Sequence, residues 1–296
     1  MTGYRSLPRG WTVVERRFAG PFTTGVTYRR PDGRTVEWSS RWHRKHNSRL
    51  SRVRPARDSV LWAPHRASWW IAVLFIVGSM CFLIGPLPGF SAFVGGYVDA
   101  AVFFAGSIFF TAAAALQWLE TINADRGPTA AGAGVRLLAW EPSRVDWWSS
   151  GIQLVGTVFF NITTFRALGT IVDVPSYDRL VWRPDAFGST CFLVAGYLAY
   201  AEVADGFLRR PPWRLEGGLV TVNLAGCVAF GVAALAAYVV PGNAVPLDAT
   251  ISDGATAFGA LGFLVGAILL LPEGYQTRPP ERAGAGASVA IERGGP

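Results

Sequence analysis

The sequence predicts an all-α membrane protein with six transmembrane helices and a small β-rich N-terminal segment. Composition gives the first indication: 51% of the 296 residues are hydrophobic and only 16% are charged, against about 25% in soluble domains. The second is that long blocks of the chain carry no charge at all. The third is a short Gly-to-Phe pattern that recurs in every block. We therefore expect a bundle built from one repeated unit.

Residues 1–45 are predicted to be a cytoplasmic segment that contains a β-hairpin. The runs Gly25–Tyr28 and Thr35–Trp38 are β-prone, and the sequence between them, Pro31-Asp32-Gly33, is typical of a turn. An earlier run, Trp11–Val14, can supply a third strand. A basic connector is predicted to follow over residues 46–66.

The membrane domain is predicted over residues 67–272. A spanning helix needs about 20 apolar residues, and six charge-poor blocks reach or approach that length. The predicted helices cover 68–89, 97–119, 147–168, 185–207, 216–239 and 252–271. The tail, 274–296, is rich in Gly, Pro and Ala, so we expect it to be disordered.

The distribution of basic residues predicts a multi-pass protein of the bacterial inner membrane with both termini in the cytoplasm. Residues 1–67 hold 15 of the 27 Lys and Arg, and positive charge concentrates on the cytoplasmic side. Without that segment, nine basic residues lie on the predicted inside and three on the outside. We favour this interpretation over a nucleic-acid-binding arm. The expected partners are the lipid bilayer and, at the N-terminal segment, a protein or anionic lipid.

An internal repeat is visible in the predicted helices. Each contains Gly, a small residue, two others and then Phe, and the hairpin repeats cover about 67–120, 146–207 and 215–273. The Gly and Phe lie on one helix face, where small residues allow helices to pack closely in lipid. The predicted packing pairs are Gly78 and Phe82, Gly106 and Phe110, Gly156 and Phe160, Gly188 and Phe192, Gly226 and Phe230, and Gly259 and Phe263.

Three glutamates stand at one fixed offset in this repeat. Glu120, Glu202 and Glu273 each lie fourteen residues after the Gly of an even-numbered predicted helix. The simplest interpretation is a set of solvated charges at helix ends. A more specific hypothesis is a ring of carboxylates at the cytoplasmic mouth, since such rings attract cations in channels.

Other polar residues are predicted to have structural roles. Asp99, Asp185 and Asp253 are expected to cap the outer starts of helices. The basic run with Arg41, Arg44 and Lys45 is expected to face lipid. His43 and His46 lack further ligands for a metal, and no cofactor, catalytic or metal-binding motif is found in the sequence. We therefore predict that the protein is not an enzyme.

The stretches Asn161–Phe165, Leu180–Asp185 and Gly188–Leu193 resemble bacterial YrhK-like integral membrane proteins. The resemblance covers about residues 65–272. It implies a membrane location and short helical hairpins, and it implies no particular activity.

Two functions remain open at this level. The first is a non-enzymatic scaffold or sensor, whose N-terminal segment binds a partner or lipid. The alternative is a small transporter or channel that uses the centre of the three-hairpin bundle. A Phe-filled centre would argue against transport, whereas a lumen lined by Ser79, Ser107, Thr157 and Ser189 would favour it.

Overall fold

The computed structural model describes residues 7–46, 50, 59–125, 127, 134–169, 173–240 and 245–274. Over these residues the chain is mostly helical, with one small sheet near its N-terminus. All of the predicted disordered tail except Gly274, and most of the predicted basic connector, lie outside the described residues.

The N-terminal sheet has three antiparallel strands in the order β1 (Thr12–Ala19), β2 (Phe22–Arg29) and β3 (Thr35–Ser39). The β2–β3 turn closes with a hydrogen bond from Gly33 N to Arg30 O of 3.0 Å. Gly33 has φ 81°, a conformation that favours glycine. The predicted hairpin and third strand are confirmed. One face of the sheet buries a small core of Val26, Tyr28 and Trp38.

Nine α-helices follow in the described part of the chain. They are α1 (Ser40–His46), α2 (Ala67–Ile84), α3 (Phe90–Val94), α4 (Gly96–Ile122), α5 (Val145–Ala167), α6 (Val174–Tyr177), α7 (Arg183–Ala204), α8 (Leu215–Ala236) and α9 (Ala249–Glu273). A π-helical turn, Asp178–Trp182, joins α6 to α7.

Six long helices form a closed ring. Going round the ring, each helix packs against the next in the order α2, α4, α5, α7, α8 and α9, and α9 packs back against α2. Helices α2, α5 and α8 begin at the end of the ring that meets the sheet, and α4, α7 and α9 finish there. We call this the sheet end and the opposite one the far end.

Five helical segments are long and apolar enough to cross a membrane: Ala67–Ile84, Gly96–Ile122, Val174–Ala204, Leu215–Ala236 and Ala249–Glu273. The chain is therefore a multi-pass membrane protein. Helix α5 is 23 residues long, but it carries more polar residues, among them Asp146, Gln153 and Asn161. These residues lower its hydropathy, and α5 is not among the five segments.

Several helix ends differ from the prediction by three residues or more, and local structure explains two of them. Helix α2 stops at Ile84, five residues before the predicted end, because Pro86 and Pro88 cannot continue it. Helix α9 begins at Ala249, earlier than predicted, because the Asp248 carboxylate accepts a hydrogen bond of 2.9 Å from Ile251 N.

Candidate functional site

The six Gly–Phe pairs of the sequence meet in the middle of the bundle. A methyl group placed on Gly78 would lie 2.5 Å from the Phe110 ring, and one on Gly106 would lie 3.1 Å from the Phe82 ring. The same reciprocal contact joins α5 to α7 and α8 to α9. Each glycine therefore makes room for the phenylalanine of the partner helix in its hairpin.

Six phenylalanine rings fill the centre as two stacked triangles, the far triangle of Phe82, Phe160 and Phe230 and the near triangle of Phe110, Phe192 and Phe263. Within each triangle the ring centroids are 5.8–6.4 Å apart. Between the triangles, the two rings of one hairpin are 4.9–5.6 Å apart. The empty space left in this layer is about 10 Å³, no more than a single water molecule needs.

The four hydroxyl side chains considered as lumen residues lie inside the helix contacts. Ser79, Ser107, Thr157 and Ser189 are each 3% exposed or less. Ser107 is within 2.9 Å of Thr164 Oγ1 and donates to the Phe104 carbonyl. These hydroxyls belong to tight packing between helices and line no open passage.

The three repeated glutamates lie at the sheet end, and all are buried. Their exposed fractions are 0% for Glu120, 4% for Glu202 and 2% for Glu273. The interpretation of solvated helix-end charges is therefore wrong. Each of these carboxylates is removed from solvent by the N-terminal part of the chain.

Helix α1 inserts its basic side chains among these glutamates. Lys45 Nζ is 2.9 Å from Glu120 Oε2, and Arg41 Nε is 2.6 Å from Glu273 Oε1. Each of the three glutamates thus meets a cation of one seven-residue helix, because Arg44 pairs in turn with Glu202. The exposed fractions of Arg41, Arg44 and Lys45 are 7%, 5% and 5%, so the prediction that they face lipid is wrong.

Arg44 is the centre of this cluster. Its Nη2 lies 3.1 Å from Glu202 Oε2 and its Nη1 lies 2.8 Å from Asp146 Oδ2 on α5. Burial acts to lower the pKa of Arg44, but Glu202, Asp146 and Glu120 outweigh it and raise that pKa above its usual value. Arg44 therefore stays charged although it is buried. Ser40 adds a hydrogen bond from its hydroxyl to Glu202.

The sheet also contacts the loops at this end of the ring. Arg17 Nη1 lies 3.1 Å from Asp205 Oδ2, and the Trp38 indole donates to the Asp125 carbonyl at 3.0 Å. Thr23 N donates to the Ser143 carbonyl at 3.2 Å. The N-terminal domain, sheet and α1 together, thus contacts the α4–α5 and α7–α8 connections and the end of α9. We call the buried pairs of Arg41, Arg44 and Lys45 with the bundle the latch.

A cavity of about 70 Å³ lies beneath α1, between the latch and the near triangle. Its polar lining includes Gln117, Gln153 and Asn223. Gln117 Nε2 donates to Gln153 Oε1 across the α4–α5 contact at 3.2 Å. Asn161 likewise donates to Thr111 Oγ1 at 2.8 Å, so Gln117, Gln153 and Asn161 form hydrogen bonds between helices.

The three aspartates predicted as helix caps do not cap their helices. Helix α4 has Gly95 at its N-cap position, and Asp248 caps α9, so Asp99 and Asp253 lie inside the helices. Helix α7 has no side-chain cap, and Asp185 lies within its first turn. The capping prediction is wrong at these positions, and all three carboxylates line one cavity at the far end.

One motif at the sheet end escaped the sequence analysis. The segments Trp62–Trp70 and Trp140–Trp148 share the pattern W-x-P-x-R-x-x-W-W. In both, the last Trp donates to the carbonyl of the Pro, at 2.8 Å from Trp70 and 3.0 Å from Trp148. Aligning the chain on Trp rather than on Gly would have revealed this pattern.

His43 and His46 do not converge on a common point. His43 Nδ1 is 2.8 Å from the Ser39 carbonyl, and His46 Nδ1 is 3.0 Å from the Trp42 carbonyl. Within the described residues, no group of three or more His, Cys, Asp or Glu is arranged to hold a metal ion.

Comparison with known proteins adds no relative, since no family model, no curated protein and no solved structure matches this chain. The resemblance to YrhK-like proteins therefore stays a prediction.

Proposed function

We propose that this chain is a non-enzymatic membrane scaffold or sensor, built as three repeated hairpins with six spans, whose N-terminal domain is held on the cytoplasmic end by the latch. The observation that carries the proposal is the insertion of α1 between carboxylates supplied by all three hairpins. The ion pairs of this one helix therefore depend on the relative positions of the three hairpins.

The ion pairs of the latch are suited to reversible opening, because their net contribution to stability is small while loss of one partner is costly. Buried ion pairs gain little net stability, because desolvation of both charges offsets their attraction, whereas loss of one partner leaves a costly unpaired charge. A small displacement of one hairpin would thus separate an ion pair and strongly destabilise the docked position of α1. The exposed side of the sheet, with Val13, Val14 and Phe18 at 36–49% exposure, is then available to a protein partner.

The channel alternative is less well supported. Two stacked triangles of phenylalanine close the bundle centre, and ions need a hydrated path or polar replacement ligands. Reconstituted protein should therefore conduct no ions across liposomes. Ion flux above that of empty liposomes would favour the channel over the scaffold.

Tryptic cleavage in nanodiscs tests the latch directly. Arg44 and Lys45 are buried in the docked state, so wild-type protein should resist cleavage at α1. The double variant Glu202→Gln with Asp146→Asn removes both partners of Arg44 and should be cut there at least tenfold faster. Glu37→Gln, which removes an exposed partner of Arg17, is the matched control. Equal cleavage of wild type and double variant would contradict the proposal.

Thiol labelling tests the sixth span and the orientation. In a chain without its three cysteines, Gly134→Cys and Asp173→Cys place one exposed thiol on each side of α5. A membrane-impermeant reagent added to intact cells should label only the cysteine at 173. Labelling of both positions, or of neither, would show that α5 does not cross the membrane as proposed.

A further inference from the structure

The far end of the bundle holds a cavity of about 340 Å³ that is separated from the latch by the aromatic layer. Its floor is the far triangle, Phe82, Phe160 and Phe230, and its wall includes Tyr177 and Trp182. The volume falls at the lower end of the range of about 300–1,000 Å³ found for small-molecule sites. The space therefore suits a small ligand that meets aromatic faces.

Three carboxylates face this space, one from each hairpin: Asp99 on α4, Asp185 on α7 and Asp253 on α9. No Lys, Arg or His is found among the described residues that line the cavity. This contrasts with the sheet end, where α1 supplies a cation to each repeated glutamate. The described lining of the cavity thus carries three carboxylates and no cationic side chain to balance them.

One carboxylate oxygen in this group lacks a hydrogen-bond donor. Asp99 Oδ1 is buried and accepts no hydrogen bond within the described structure. Asp185 is partly buried and Asp253 is exposed, and both line the cavity. A partly buried carboxylate such as that of Asp99 favours a nearby cation, because an unpaired charge removed from water is costly.

The geometry indicates which class of cation fits. A divalent metal needs several carboxylate oxygens on one centre at about 2.0–2.6 Å, and these aspartates are not grouped closely enough to hold a metal ion. Carboxylates spread around a space floored by aromatic faces suit a larger, diffuse cation. Alkylammonium groups are recognised in this way, by charge at a distance and by direct contact with aromatic faces.

We infer that the far-end cavity is a binding site for a small alkylammonium ion, held by Asp99, Asp185 and Asp253 over the far triangle. This site deepens the sensor role, since the far triangle packs on the near triangle. It rests on the cavity and not on the latch, so failure of the cleavage test at α1 would leave it standing.

Calorimetric titration of the full chain in nanodiscs with choline tests the site. Choline should bind saturably, and its uncharged isostere 3,3-dimethyl-1-butanol should bind at least tenfold more weakly. Asp99→Asn and Asp253→Asn should each weaken choline binding about tenfold, which corresponds to about 1.4 kcal/mol. Asp178→Asn is the control, since this aspartate pairs with Arg183 outside the cavity lining.

Thermal unfolding of every variant shows whether it is folded before its titration is interpreted. Absence of saturable choline binding by folded wild-type protein would overturn the inference. So would equal binding of the uncharged isostere, or unchanged choline binding by a folded variant that lacks all three carboxylates. Saturable binding of Mg²⁺ in place of choline would overturn the assignment to an organic cation.

Discussion

The two ends of the helix ring handle acidic side chains in opposite ways. At the sheet end, Glu120, Glu202 and Glu273 are buried but each is paired with a cation of α1. At the far end, Asp99 and the two other aspartates face a cavity whose described lining has no cation. The comparison shows that one bundle can pair one set of carboxylates with cations from its own chain, while another set faces a cavity whose described lining supplies no cation.

The largest effect is expected from breaking the paired end. Arg44→Met removes the cation that joins Glu202 to Asp146 and leaves two buried carboxylates short of a partner. Loss of one member of a buried pair costs about 3–5 kcal/mol. Equilibrium unfolding should show that loss. Arg34→Met, which removes an exposed contact with Asp32, should cost no more than about 1 kcal/mol. Equal costs for both variants would contradict the special role of the latch.

A smaller effect is expected from disturbing the layer that separates the two ends. In Gly78→Ala the new methyl group would lie 2.5 Å from the Phe110 ring and 3.0 Å from the Gly106 carbonyl. Such overpacking costs about 1–3 kcal/mol. Gly231→Ala on α8 meets nothing within 4 Å and should be neutral or stabilising. Thermal unfolding of both variants measures the difference. Comparable destabilisation by the two would show that the layer is loosely packed.

Neutralising a carboxylate should change the free energy of unfolding in opposite directions at the two ends of the ring. Without ligand, Asp185→Asn removes an uncompensated charge and should leave stability unchanged or raise it by about 1 kcal/mol. Glu202→Gln, in contrast, should lower stability because Arg44 loses a partner. Unfolding free energies in ligand-free buffer give both values. A clear loss of stability in Asp185→Asn would mean that this carboxylate is already paired.

The smallest effect is a pH dependence of the sheet end. Burial lowers the pKa of His46; Arg66 and Lys45 act in the same direction, and the Trp42 carbonyl and Glu273 oppose it. The folded state therefore resists protonation of His46, so stability is full above the usual histidine pKa of about 6.5 and falls as pH drops below it. The unfolding midpoint should decrease between pH 7.5 and 5.5, and less so in His46→Gln. An identical decrease in both proteins would exclude His46 as the cause.

Sequence patterning was informative wherever a residue's role follows from its own helix. The glycine and phenylalanine positions, four residues apart, identified residues that meet in the bundle centre, because helical periodicity determines which residues share a face. The three glutamates were recognised by the same spacing. The β-hairpin was recognisable from its turn residues.

The rest could not be read from local pattern. Arg41, Arg44 and Lys45 have the composition of a lipid-facing patch, and only their partners, 75–232 residues away in sequence, make them a buried latch. The aspartates were misinterpreted as caps for the same reason, since position near a helix start does not reveal that three helices share a cavity. A charge is visible in a sequence, whereas its partner depends on tertiary packing.

The latch also constrains the order in which the protein can be completed. Helix α1 precedes the ring helices in the chain, yet Arg41 pairs with Glu273, at the end of α9. Arg41 must therefore stay unpaired until all six helices of the ring and their connections have been synthesised. A chain that stops short of α9 lacks this final contact, so a truncated product would carry an undocked, basic N-terminal domain that proteases could distinguish from the finished protein.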